Sequence, residues 1–138
     1  MKKYVLLLVI AISIMGCSLG DDDKQKFHLE LLPVESATFP AQFVKDEIYE
    51  IPIQYHRPTT CHVFEGFYYE RNANVRTIAI QTSVLERNDC TPATVNPITE
   101  KLKFIPTTES SYIFKLWKGK DANGADIFDE IEVPVVVP

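Results

Sequence analysis

The stretch Tyr49-Glu50-Ile51-Pro52-Ile53-Gln54-Tyr55 decides the fold class, because its large apolar side chains recur at every second position. Successive side chains of a β-strand point to opposite faces, so this alternation predicts a strand with one buried face. Helical periodicity is nearly absent after residue 16, whereas the two-residue period returns at 27–31, 75–84, 102–106, 112–116 and 127–137. Together with the aromatic segment 64–69, these patterns predict about seven strands.

Turn-forming residues separate the predicted strands. Asn72-Ala73-Asn74 and Asp121-Ala122-Asn123-Gly124 each predict a short hairpin connection, the second with Gly124 at a positive φ. Pro52 and Pro134 fall inside strand patterns, and neither has a backbone N–H to donate. We therefore expect each of these two strands to lie at a sheet edge or to carry a bulge at its proline.

Seven short strands in one domain, residues 27–138, favour an all-β fold, a single antiparallel β-sandwich. The last third of the domain contains Lys103-Phe104-Ile105-Pro106, then Ser111-Tyr112-Ile113-Phe114-Lys115-Leu116, then the hairpin 121–124. This succession resembles the last three strands of bacterial immunoglobulin-like domains, although Ser111 stands where that family has a glycine. The resemblance implies an immunoglobulin-like sandwich with Tyr112 near the corner tyrosine of that architecture.

The first residues have the layout of a cleavable secretory signal, with Met1-Lys2-Lys3 followed by an apolar run over 4–15. The run is too short for a membrane span, which needs about 20 residues. Ile14-Met15-Gly16-Cys17 resembles the bacterial lipobox, and the resemblance implies a signal peptide of residues 1–16 and a lipid on Cys17. Two acyl chains give stable anchoring. The alternative is a chance cysteine near the end of a signal peptide.

Residues 17–26 are predicted to form the lipidated cysteine and an acidic tether. The run Asp21-Asp22-Asp23 resembles the export signal of Bacteroidota surface lipoproteins, and the alternative is an acidic linker with no sorting role. As a whole the chain resembles small Bacteroidota surface lipoproteins with an immunoglobulin-like β-sandwich domain, a resemblance that implies no activity. It predicts a lipid-anchored outer-membrane protein facing the cell exterior, with membrane contact through the lipid on Cys17.

The chain has three cysteines, Cys17, Cys61 and Cys90. If Cys17 carries a lipid, an even pair remains in an oxidising compartment, which favours a Cys61–Cys90 disulfide. This bridge would join the open end of the first hairpin, so it is not the sandwich disulfide of antibody-type domains. Two free buried thiols are the alternative.

The net charge also limits the partners. It is −5 for the whole chain and becomes −7 once Lys2 and Lys3 leave with the signal peptide. An acidic chain without a cluster of lysine and arginine is a poor nucleic-acid binder, so we expect no nucleic acid as partner. A protein or a glycan remains as the partner class.

Three aromatic side chains are candidate ligand contacts. Phe64, Phe67, Tyr68 and Tyr69 lie on one predicted strand, so at least one of them points outward unless a bulge at Gly66 re-aims it. Exposed tyrosine and tryptophan faces can stack on sugars, which makes the candidates Tyr68, Tyr69 and Trp117. The alternative is that these aromatics fill the core and pair across strands.

Metal and catalytic patterns are weak. His56, Cys61 and His62 are close in sequence, but no CxxC, no HxH and no third ligand stands near them. Asp121, Asn123 and Asp126 fail the spacing of an EF-type calcium loop, so a hairpin turn is favoured over a calcium site. Nothing in the spacing of the acidic residues selects a catalytic carboxylate pair, and we expect no metal and no cofactor.

These observations favour a non-enzymatic binding or accessory module on the cell envelope. One alternative is a small extracytoplasmic hydrolase with a carboxylate site, which would need a concave pocket with convergent titratable groups. The other is a structural envelope lipoprotein without a ligand. A binding module differs from both in needing an exposed aromatic or apolar patch.

Overall fold

The structure, a computed structural model, describes residues 24–138, so the predicted signal peptide and Cys17 lie outside the described residues. The described chain forms nine strands, which run Phe27–Leu32 (β1), Ser36–Ala37 (β2), Phe43–Val44 (β3), Tyr49–Tyr55 (β4), His62–Asn72 (β5), Val75–Leu85 (β6), Ile98–Phe104 (β7), Ser111–Lys120 (β8) and Asp126–Val136 (β9). Within these residues there is no helix of the length and apolarity needed to cross a bilayer.

The predicted all-β fold is confirmed, and so are its seven strands. They are β1 and β4–β9, each of six residues or more. Sequence reasoning missed β2 and β3, because two residues are too few to show a period. The strands form two sheets, one of six strands in the order β1-β6-β8-β9-β3 with β5 also on β6, and one of three in the order β2-β4-β7.

The expectation of an antiparallel sandwich needs correction, because the larger sheet is mixed. β6 and β8 are parallel, with Val75 opposite Ile113 and Ile78 opposite Leu116, and β3 is parallel to β9. The chain leaves β6, passes through β7 in the smaller sheet and returns in β8. This crossover through the other sheet brings β8 back in the direction of β6, as a parallel pair requires.

The core lies between the two sheets and takes the alternating apolar residues of both. Ile51, Ile53 and Tyr55, from the stretch that predicts the fold class, are each at most 1% exposed. Phe104 of the smaller sheet contacts Tyr112 and Phe114 of the larger one, with ring centroids 4.9 and 5.3 Å apart. The aromatic rings therefore join the two sheets.

The two prolines lie in strands that have neighbours on both sides, so the expectation of an edge or a bulge is wrong at both. β4 pairs with β7 in unbroken register through Pro52 and also pairs with β2, while β9 lies between β8 and β3. In each case one neighbour is only two residues long and pairs beyond the proline. The Pro52 carbonyl accepts the Thr38 N–H on the β2 side, so the missing donor faces that short strand.

Both hairpins and the disulfide are confirmed. Asn72 pairs with Val75 across a two-residue turn, and Gly124 lies at a φ of 80° in the loop between β8 and β9. Cys61, just before β5, is bonded to Cys90, five residues beyond β6. The bridge closes the open end of the β5–β6 hairpin, as the sequence predicts.

Candidate functional site

A β-bulge in β5 sorts its aromatic side chains onto two faces. The register with β6 shifts between Phe64 and Gly66, which inserts one residue and puts Phe64 and Phe67 on the same inner face. Their rings are 5.3 Å apart and pack against the core. Tyr68 therefore points to the outer face of the larger sheet, and Tyr69 points back toward the inner side.

The apolar residues of β1 lie on the outside of the sandwich. The alternation of Phe27, Leu29 and Leu31 predicts one apolar face, yet Leu29 is 61% exposed and only Leu32 of this strand is buried. β1 pairs with the second half of β6, opposite the outward-facing residues Gln81 and Ser83. The strand thus contributes its apolar stripe to an open surface.

An aromatic groove of about 570 Å³ lies on this outer face. β8 pairs with the first half of β6 and β1 with the second half, and the groove lies where the two meet, above Ala79. Tyr68, Trp117 and Phe128 form its aromatic wall, and Leu29 and Leu31 line it as well. The methyl side chain of Ala79 leaves the space that a larger residue at this position would fill.

Hydrogen bonds hold the two polar aromatics of this groove. Trp117 Nε1 donates to Asp126 Oδ1 at 3.0 Å, and Lys120 Nζ lies 2.9 Å from the same oxygen. The bonds from Lys120 and Trp117 lower the pKa of Asp126 below its usual value. The Tyr68 hydroxyl donates to Glu70 at 3.0 Å, which raises the tyrosine pKa. The rim therefore combines hydrogen-bond donors and acceptors around an apolar floor.

Tyr69 belongs to a second, basic groove of about 400 Å³ on the inner side of the β5–β6 hairpin. Arg71, Arg76 and Lys103 line it, together with Thr107 and residues of β7. Burial raises the pKa of Tyr69, while the neighbouring Arg76 acts in the opposite direction. The structure therefore brings Tyr68 and Trp117 together and separates Tyr69 from them.

A hydrogen-bonded chain of Thr59, His62 and Glu30 lies near the disulfide. The imidazole of His62 is buried, with Nδ1 at 2.8 Å from the Thr59 hydroxyl and Nε2 at 2.8 Å from the Glu30 carboxylate. A hydroxyl, an imidazole and a carboxylate in this order resemble a nucleophile with its base. Glu30 lines the aromatic groove, whereas Thr59 and His62 line neither groove. The His62–Glu30 bond connects the start of β5 to β1.

The candidate metal residues have other partners. His56 Nδ1 lies 2.8 Å from the Thr94 carbonyl, and Cys61 is bonded to Cys90, which removes both sulfurs from the group that they form with Asp89. In the loop between β8 and β9, Asp121 Oδ1 accepts the N–H groups of Asn123 and Ala125. This is the local hydrogen bonding of a turn.

No protein-family model, no curated protein and no solved structure matches this chain.

Sequence reasoning missed several residues of both grooves. Leu29 and Leu31 have the pattern of a core-facing strand, and nothing in the sequence shows that their side of β1 stays uncovered. Ala79 and Phe128 become groove residues only through the pairing of β6, β8 and β9. For the basic groove, the sequence signal is a pair of arginines symmetric about the turn 73–74, Arg71 and Arg76, which a hairpin places opposite each other.

Proposed function

We propose that this protein is a lipid-anchored, surface-exposed binding module that holds a neutral glycan in the aromatic groove. The observation that carries the proposal is the convergence of Tyr68 and Trp117 on one outward-facing concave surface. A concave surface lined by aromatic and apolar side chains with a few polar groups is typical of a ligand-binding site. Anchoring through Cys17 at the outer membrane is part of the same proposal.

The chemistry of the groove favours a polyol over other ligands. Sugars have apolar C–H faces and hydroxyl groups that both donate and accept hydrogen bonds, and Tyr68 and Trp117 offer rings with polar edges. Three carboxylates line the groove, and each already has a partner. Glu30 lies 2.8 Å from His62 Nε2, Glu70 accepts a hydrogen bond from the Tyr68 hydroxyl, and the Asp126 carboxylate lies 2.9 Å from Lys120 Nζ. A neutral ligand can use the carboxylate and the ammonium group at once.

We also propose the immunoglobulin-like assignment for the sandwich. The Tyr112 hydroxyl accepts a hydrogen bond from the Thr107 N–H at 2.9 Å, five residues upstream. A buried tyrosine whose hydroxyl bonds back to the preceding backbone is the arrangement of the tyrosine corner. The disulfide does not support the immunoglobulin-like assignment, because it joins the two ends of one hairpin.

The single tryptophan makes the binding proposal directly testable, because Trp117 itself lines the groove. Purified protein is titrated with neutral oligosaccharides, namely maltohexaose, cellohexaose, xylohexaose and mannohexaose, while tryptophan emission is recorded. At least one of them should shift the emission with saturation. Tyr68→Ala should weaken that binding by about tenfold, because it removes one aromatic wall.

Tyr69→Ala is the matched control. The two tyrosines are neighbours with nearly equal exposure, 39% and 37%, but they face opposite sides of the sheet. Tyr69→Ala should leave the titration unchanged. Equal losses in both variants, or emission that no oligosaccharide alters, would refute glycan binding. If crosslinking on intact cells captures a protein with the wild type but not with Tyr68→Ala, the ligand of the groove is a protein and not a glycan.

The anchor has its own test. Cys17→Ala should move the protein from the membrane fraction to the soluble fraction of the cells, because the thiol that would carry the lipid is gone. Protease added to intact cells should degrade the wild-type protein if it faces the exterior. A variant that stays wholly in the membrane fraction would contradict lipidation at this cysteine.

A further inference from the structure

The basic groove has an unusual charge arrangement for an acidic chain. Arg71 and Arg76 are direct cross-strand partners in the β5–β6 hairpin. Such partners share a face of the sheet with Cβ atoms about 5 Å apart, and like charges in this relation are destabilising. Lys103 adds a third cation at the rim, and the residues that line the groove include no acidic one.

Within the part of the chain that the structure describes, the three cations also have no carboxylate partner. None of the ion pairs between residues 24 and 138 involves Arg71, Arg76 or Lys103. Glu50 is opposite Lys103 in the smaller sheet, but its carboxylate lies 3.4 Å from Lys101. Glu70, the neighbour of Arg71, faces the other side of the sheet, where its carboxylate accepts a hydrogen bond from the Tyr68 hydroxyl.

Arg76 is held in place with a buried donor unused. The residue is 5% exposed, its guanidinium lies 5.0 Å from the centroid of the Tyr112 ring, and Nη1 donates to the carbonyls of Ala73 and Val75. Its buried Nε has no hydrogen-bond partner among the described residues. A buried donor without a partner is costly, and a guanidinium binds oxyanions through several donors at once.

We infer that the basic groove binds an oxyanion group, a sulfate, phosphate or carboxylate, between Arg71 and Arg76. The anion separates two like charges, accepts from the guanidinium groups and from the hydroxyls of Tyr69 and Thr107, and is approached by Lys103. The group is either a free inorganic anion or an acidic substituent on a saccharide. This site lies on the opposite face of β5 from the aromatic groove, so it does not depend on the proposed glycan binding.

The test compares the full-length protein in chloride with the same protein in millimolar sulfate, phosphate or tri-galacturonate at matched ionic strength. Melting temperature and calorimetric titration are the readouts. The wild type should melt higher with at least one of the oxyanions than in chloride. Arg71→Gln should weaken that binding by at least about tenfold, because it removes a charged hydrogen-bond donor.

Arg71→Gln has a second effect that a merely structural arginine would not produce. In chloride alone it should melt about 1–5 °C higher than the wild type, because the like-charge pair is gone. Arg87→Gln, at an exposed arginine paired with Asp89, is the control and should keep the full oxyanion response. Binding of sulfate or phosphate identifies a free anion, and stronger binding of tri-galacturonate identifies a saccharide-borne carboxylate.

Equal oxyanion responses of the wild type and Arg71→Gln would overturn the inference, since sulfate stabilises many proteins without a site. A wild type that responds no more to any oxyanion than to chloride would overturn it as well. So would a melting temperature of Arg71→Gln below that of the wild type in chloride.

Discussion

Removing the disulfide should cost this domain a large part of its stability. Cys61 and Cys90 are 29 residues apart, and a covalent loop of that length restricts the unfolded chain by about 3.6 kcal/mol. For a domain of this size the loss corresponds to a melting temperature lower by about 14 °C. The perturbation is the double substitution Cys61→Ala and Cys90→Ala, which leaves no free thiol in the domain.

The structure also says where the loosening should begin. Besides the disulfide, an isolated bridge between Thr59 and Pro92 joins the two segments, and Thr60 donates its N–H to the Thr91 carbonyl at 2.9 Å. Three more contacts join them: the Thr91 N–H donates to the Thr60 hydroxyl, the Ala93 N–H donates to the Pro58 carbonyl, and His56 Nδ1 lies 2.8 Å from the Thr94 carbonyl. Without the covalent link, these contacts at the open end of the hairpin must close the loop alone. Their amides should therefore exchange with solvent faster than those of β4, which lies in the middle of its sheet.

Urea unfolding of the wild type and the double variant measures the stability difference, and hydrogen exchange locates it. A loss below about 1 kcal/mol would refute the argument from loop entropy, because the calculated restriction is several times larger. Uniform acceleration of exchange, with no excess at Thr60 and Thr91, would refute the argument that the bridge holds this end of the hairpin.

Two further predictions concern single groups. Tyr112→Phe leaves the Thr107 N–H without its acceptor and should lower the free energy of unfolding by about 1–2 kcal/mol. Tyr68→Phe, the control at an exposed hydroxyl, should change the free energy of unfolding little. Equal effects of the two variants would contradict the role of the Tyr112 hydroxyl. The fold lowers the pKa of Asp126. The ionised carboxylate therefore stabilises the folded state fully at pH values above the unfolded pKa of about 3.9, and this stabilisation is lost as the pH falls through the lower folded pKa. Trp117 emission should change in that acidic window, and Asp126→Asn should remove the change; a transition that persists in the variant would assign it to another group.

The sequence determines the strands of this protein because burial on one face of a strand has a two-residue signature. Ile51, Ile53 and Tyr55 are buried as their alternation predicts, and both hairpins form where asparagine, aspartate and glycine allow the turn. Cysteine counting also gives the correct pair. These are local or compositional properties, so the sequence expresses them directly.

Tertiary structure alone decides which side of a strand faces the core and which strands meet. The same alternation that buries Ile51 leaves Leu29 exposed, because no sheet formed by residues 24–138 covers the outer side of β1. Strand alternation alone puts the neighbouring Tyr68 and Tyr69 on opposite faces. The bulge before Gly66 decides which of them lies in the aromatic groove and which in the basic groove. The sites depend on sheet order, and sheet order arises from contacts between distant residues that have no pattern in the local sequence.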